Sequence, residues 1–193
     1  SMTRFDAQGR VDATLMSNLR IMRRTLINQI SKRCDKSKET ITSVVHSLLS
    51  RSIFIKYLEE RKDSNGETVF PQGFYSNFLE SAKQYTDVLN SKEATYSLFR
   101  TLKEKFNGDT LQVSEVEIEI ITQNDLDELR TFILGDSELE SKQLALWPFY
   151  SFDIIPIQLI SSIYELFFHL SDEDDEKGTY YTPLHLVNLV MDE

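Results

Sequence analysis

The apolar residues Val11, Leu15, Leu19, Met22, Leu26 and Ile30 return at steps of four and three. A strand brings every second side chain to one face, so only a helix gathers this set on one side. Such a one-sided helix needs a partner to cover it, and the next segment supplies one. Asp35 and Ser37 offer caps for a second helix running to about Arg61, and its stretch from Val44 to Leu58 is apolar on more than one face. A helix of that kind packs on several neighbours at once, which makes it the expected centre of a bundle.

The rest of the chain continues in the same style. Asp63, Ser64, Asn65 and Gly66 form a turn cluster, followed by helical patterns from about Gln72 to Leu89 and from Ser91 to Phe106. Asn107 and Gly108 close the latter, because both accept the left-handed conformation that helix ends often adopt. Leu111, Val113, Ile118 and Ile120 show partial alternation of aliphatic side chains, which predicts a short strand or hairpin. Thr122 with Asp125 three residues on is a capping-box start, continued by Leu126, Leu129, Phe132 and Ile133 at helical spacing and stopped by Gly135. The run Leu144 to Phe152, broken by Pro148, reads as extended and buried and could pair with the earlier strand. Pro156 then opens a further helix with Ile157, Ile160, Ile163, Tyr164 and Phe167 on its apolar face. The expected fold class is mainly α, a multi-helix bundle with a small β hairpin.

Charge bears on partners more than on fold. The chain carries a net charge of −10, and phosphate backbones repel carboxylates. The distribution is uneven, however: residues 1–38 hold nine basic side chains against Asp6, Asp12 and Asp35, while the remainder holds twelve basic against twenty-eight acidic. Arg20, Arg23 and Arg24 fall off the apolar stripe of the first helix, and with Lys32 and Arg33 they are the candidates for phosphate contacts. The competing reading of the same residues is an ordinary solvated helix face.

Several classes are excluded or disfavoured. The longest apolar stretches, Ile53–Ile55 and Ile154–Ile157, fall far short of the roughly 20 residues a spanning helix needs, and no apolar signal segment is present, so a cytoplasmic protein without a membrane partner is expected. Cys34 is the only cysteine, and His46, His169 and His185 lie far apart in sequence, so neither a disulfide nor a metal site is expected. His46 sits in an aliphatic run and reads as a core or boundary histidine rather than an acid–base catalyst. Residues 171–177, Ser-Asp-Glu-Asp-Asp-Glu-Lys, suit a linker; an EF-hand loop begun at Asp172 would put Lys177 at the obligatory glycine and Pro183 at the bidentate glutamate.

After that linker comes Gly178-Thr179-Tyr180-Tyr181-Thr182-Pro183, then Leu184, Leu186, Val187, Leu189 and Val190 in helical register. Thr182 suits an N-cap and Pro183 a first helical residue, a helix start whose N–H groups can meet a polar ligand. The string resembles the Gly-x-Tyr-[Phe/Tyr]-Thr-Pro segment of adenine-N6 DNA methyltransferases related to type I modification subunits and fused restriction–methylation enzymes. Upstream, the segment from Ile155 to Glu165 is similar to the helix leading into that motif. The segment from Ser50 to Arg61 is similar to the family's helical N-terminal domain, and Phe106-Asn107-Gly108-Asp109 adds a fourth match.

The resemblance implies a parent enzyme of a restriction–modification system that transfers a methyl group from S-adenosylmethionine to adenine N6 in duplex DNA. Thr179, Tyr180, Tyr181, Thr182 and Pro183 would then lie on the cofactor side, while Leu184 departs from the basic residue some type I subunits carry there. The family's glycine-rich cofactor loop and its Asn-Pro-Pro-[Tyr/Phe] tetrapeptide, which holds the flipped adenine, do not occur in this sequence. Its prolines, Pro71, Pro148, Pro156 and Pro183, are never adjacent. The expectation is a helical domain over 1–170, an acidic linker over 171–177, and in 178–193 the first segment of a Rossmann-like catalytic domain that is otherwise missing. Such a chain alone would be inactive and bind no cofactor; it would support the catalytic domain, help enclose duplex DNA and dock a specificity subunit or domain. The rival is a helical protein-interaction module with no nucleic-acid role, which the acidic balance favours and which would bind its partner with little sensitivity to salt.

Overall fold

The four–three apolar stripe forms helix α1, Arg4–Ser31. Leu15, Leu19, Leu26 and Ile30 are wholly buried and Met22 nearly so, so truncating one of them, Leu19→Ala for instance, is expected to cost about 2–5 kcal/mol. The computed structural model describes residues 4–106 and 111–135, with side chains from residue 15. The chain divides into two compact units, Ser1–Asp153 and Ile154–Glu193, and every described residue belongs to the first.

Helix α2, Lys38–Glu60, is the central element. Ser37 caps it by accepting from the Thr40 N–H at 3.2 Å, which satisfies one of the orphan donors of the first turn. Glu39 lies in that turn, where backbone hydrogen bonding and Ser37 hold its carboxyl below the ordinary range. From Val44 to Leu58 every residue except Ser47 is buried. That burial on all sides is possible because α2 packs against α1 and against the short helices at Tyr85–Val88 and Glu115–Ile120 together.

Past α2 the chain turns as expected at Asp63–Gly66. The Asp63 carboxylate accepts from the N–H groups of Asn65 and Glu67, both at 2.8 Å, and Gly66 takes φ 80°. A single antiparallel bridge, Lys62 with Thr68, closes the loop. The continuous helix expected over Gln72–Leu89 is replaced by a 3-10 turn at Tyr75–Asn77 and a four-residue helix α3, Tyr85–Val88. Gly73 is left-handed at φ 78°, and nearby polar side chains compete for the backbone: Ser76 Oγ donates to Gly73 O and Asn77 Nδ2 to Phe74 O. Asp87 then takes the N–H groups of Lys83 and Gln84, which starts the chain afresh. Phe74 and Phe78 join a cluster in which Phe70 stacks on Phe74 at 4.6 Å.

Helix α4, Lys92–Phe106, follows the reading from sequence. The hairpin predicted over Leu111–Ile120 does not form: Glu115–Ile120 is a short helix, α5, capped by the Ser114 hydroxyl accepting from Glu117 N–H at 3.1 Å. Its buried positions are Glu117 and Ile120, a step of three that marks one helical face, and the extended Ile121 that follows is buried as well. Helix α6, Gln123–Leu134, has the capping box of Thr122 and Asp125 and ends at left-handed Gly135, φ 79°. It packs on α1 and α3. The described residues are thus mainly helical and contain no strand. The stop at Asn107–Gly108, the run 144–152, the helix after Pro156, the linker 171–177 and the segment 178–193 lie outside the described residues.

Candidate functional site

With its apolar stripe in the core, α1 must show its remaining residues to solvent. Arg20, Arg24 and Asn28 are exposed, and so is Lys32, one residue past the end of the helix. Arg23 is half-buried, and its Nε donates to His46 Nε2 on α2 at 2.6 Å. An arginine nitrogen can only donate, so that ring nitrogen is the bare acceptor of a neutral imidazole. His46 is 9% exposed and works as an inter-helix contact. Arg33 also turns inward: Nη2 donates to Ile120 O at 3.2 Å and pairs with Asp125 at the start of α6. Of the five candidates for phosphate contacts, Arg20, Arg24 and Lys32 therefore present themselves outward, while Arg23 and Arg33 brace α1 against α2 and α6. The cofactor-side candidates Thr179, Tyr180, Tyr181, Thr182 and Pro183 lie outside the described residues.

The second concentration of polar chemistry is inside the bundle. Arg51 of α2 pairs with Glu117 of α5, with side chains 0% and 1% exposed. The same guanidinium donates to Gln112 O at 2.5 Å and lies over the Phe99 ring, 4.8 Å from its centroid. Tyr96 donates to Glu117 at 3.2 Å. Burial pushes the Glu117 carboxyl above its ordinary range, against the pull of Arg51. Burial likewise raises Tyr96, with Glu117 adding to it, and raises Tyr85. Ser52 Oγ donates to Leu48 O at 2.8 Å, so its contact with Tyr85 at 2.7 Å is one in which the tyrosine hydroxyl donates. Tyr85 N–H in turn donates to Glu59 at 2.6 Å. Arg51, Ser52, Tyr85, Tyr96 and Glu117 are buried, and the arrangement ties α2 to α3, α4 and α5 rather than offering groups to a substrate.

The sequence reading missed both inter-helix ion pairs, the buried Arg51–Glu117 and the partly exposed Arg33–Asp125. A signal for one was present: Arg51 falls in the stretch from Val44 to Leu58 that is apolar on several faces, so its charge had nowhere to go but to an internal partner. Nothing local marks Arg33 as structural, because Asp125 is 92 residues away. Among the described residues no group of three or more His, Cys, Asp or Glu side chains could hold a metal ion, and no helix is long and apolar enough to cross a membrane. Cys34 is a half-buried free thiol. Comparison with protein-family models, with curated proteins and with solved structures finds no match.

Proposed function

We propose that this chain is the non-catalytic helical N-terminal region of an adenine-N6 DNA methyltransferase of a restriction–modification system. The observation that carries the reading is the order of four segments: Ser50 to Arg61, Phe106 to Asp109, Ile155 to Glu165, and Gly178 to Pro183. Its role is to pack beside the catalytic domain, help enclose duplex DNA and dock a specificity subunit or domain. The mainly helical described region is compatible with that role, and the exposed Arg20 and Arg24 of α1 and Lys32 just past its end are where phosphate contacts would be made. Thr179 to Pro183 are assigned to the cofactor side of the whole enzyme, where S-adenosylmethionine supplies the methyl group.

The test is labelled methyl transfer from S-adenosylmethionine to duplex DNA by the full-length protein carrying these residues, with the present chain as control. Label on adenine N6 with the full-length protein, and none with this chain, is the expected result. A folded full-length protein that neither binds S-adenosylmethionine nor labels DNA would overturn the reading and leave a helical protein-interaction module, the role that the excess of carboxylates favours.

A further inference from the structure

From Leu15 to Cys34 the chain contains Arg20, Arg23, Arg24, Lys32 and Arg33 and not one Asp or Glu, in a protein whose acidic residues exceed its Lys and Arg by ten. Within that window Arg20, Arg24, Asn28 and Lys32 follow at steps of four, and all four are exposed. Steps of four put side chains in one row along a helix, about 6 Å apart at a rise of about 1.5 Å per residue; Arg20, Arg24 and Asn28 make such a row on α1, and Lys32 follows in the turn just past Ser31. Every member carries N–H donors, three of them charged. Outside the row, Arg23 pairs with His46 and the partly exposed Arg33 with Asp125.

We propose that the row Arg20–Arg24–Asn28–Lys32 tracks the phosphate backbone of duplex DNA, and that Arg23 and Arg33 hold α1 in position beneath it. The proposal rests on the DNA-modification reading above and names the surface that reading requires. A basic helix can also lie on an anionic membrane, but it does so by sinking an apolar face between the lipids. Here that face, Leu15, Leu19, Met22, Leu26 and Ile30, is spent in the protein core. Charge complementarity with no apolar face to offer fits a phosphate backbone. Contacts of this kind position DNA without reading its bases, so binding through the row is blind to sequence. Arg24 and Lys32 together release about 1.8 counterions, which corresponds to an affinity loss of about 12-fold between 50 and 200 mM salt.

The experiment is a salt titration of binding between the whole chain and a labelled duplex of arbitrary sequence. Three variants are compared with the wild type: Arg24→Gln with Lys32→Gln, the charge-keeping Arg24→Lys with Lys32→Arg, and Lys103→Gln with Lys105→Gln. The last removes exposed lysines of α4, outside the row. All sites are on the surface, and circular dichroism checks that each variant is folded. The expected result is a slope of log affinity against log salt reduced by about 1.8 in the first variant only. A wild-type slope in the first variant overturns the row while leaving DNA as a partner. Absence of duplex binding by the chain at the lowest salt also overturns it, and the methyl-transfer assay decides the wider reading separately. Equal binding of the wild type to vesicles of anionic lipid and to duplex would move the row to a membrane role.

Discussion

Arg51 and Glu117, sixty-six residues apart in sequence, form an ion pair from which water is excluded. Taking two charges out of water is costly, and mutual attraction offsets the cost only when the remaining hydrogen-bonding capacity is also used. Here Gln112 O, the Phe99 ring and the Tyr96 hydroxyl supply additional partners, while Arg51 Nε is buried without one. Removing one partner strands the other. Arg51→Met is therefore expected to lower unfolding free energy by about 3–5 kcal/mol in urea titrations, and Arg51→Met combined with Glu117→Leu to cost less than Arg51→Met alone. A double variant as unstable as the sum of its singles would show that the two charges do not act as a pair.

Lys56 gives a pH dependence of definite sign. Burial disfavours its charge, but Glu59 and Glu60, with carboxylate oxygens 2.5 and 3.1 Å from Nζ, outweigh that and raise it above its ordinary 10.5. A lysine raised on folding contributes stability that is fully present below its unfolded value and is lost as pH climbs through the folded one. The stability gap between wild type and Lys56→Met should thus be level from neutral pH to about 9 and narrow above about 10.5. Urea melts of both proteins across that range provide the check, since subtracting them cancels the other titrating groups. A gap that widens at high pH would mean burial, not pairing, governs Lys56.

What could be read from the sequence was what is decided locally. The Leu15–Ile30 stripe, the Ser37 cap, the Asp63–Gly66 turn and the Thr122–Asp125 box each depend on residues within a turn or two, and each stands where expected. The failures involve side chains whose surroundings are set from afar. The hairpin reading rests on the aliphatics Leu111, Val113, Ile118 and Ile120 alone; the buried face of the helix that forms instead includes Glu117, which is paired inside with Arg51 from another helix. Over Gln72–Leu89 a left-handed Gly73 and the Asp87 cap give the backbone better alternatives than the helix expected there. On α1 the exposed face was predictable from the stripe, yet the removal of Arg23 and Arg33 from it depends on His46 and Asp125, which belong to other helices.

Gly66 isolates backbone conformation from packing. It holds φ 80°, and a Cβ placed there would meet nothing within 4 Å. Any loss in Gly66→Ala then comes from the left-handed backbone alone, about 1–2 kcal/mol. Asn tolerates that region better than Ala, so Gly66→Asn should lose less. Thermal melts of the two variants rank them. An alanine variant as stable as the asparagine one would mean that the turn relaxes out of its left-handed form.

Arg33 offers the clearest separation of scaffold from surface. Its guanidinium is partly open to water, but Asp125 is 0% exposed and already accepts from the Thr122 N–H at 2.8 Å and the Thr122 hydroxyl at 2.9 Å. Losing the arginine leaves that carboxylate buried against dipoles only, with no counter-charge. Arg33→Gln is accordingly expected to cost about 1–3 kcal/mol of stability. Because the charge it removes is spent on Asp125, the variant should leave the salt dependence of duplex binding where it was. Arg24→Gln should do the reverse, with an exposed side chain contributing within about 0.5 kcal/mol to stability but about 0.9 to the slope. Urea melts and salt titrations on the same two proteins give four numbers, and the crossed pattern is the prediction. If Arg33→Gln lowers the slope as much as Arg24→Gln does, then Arg33 faces the phosphates and the division of α1 into an outward row and inward braces is wrong.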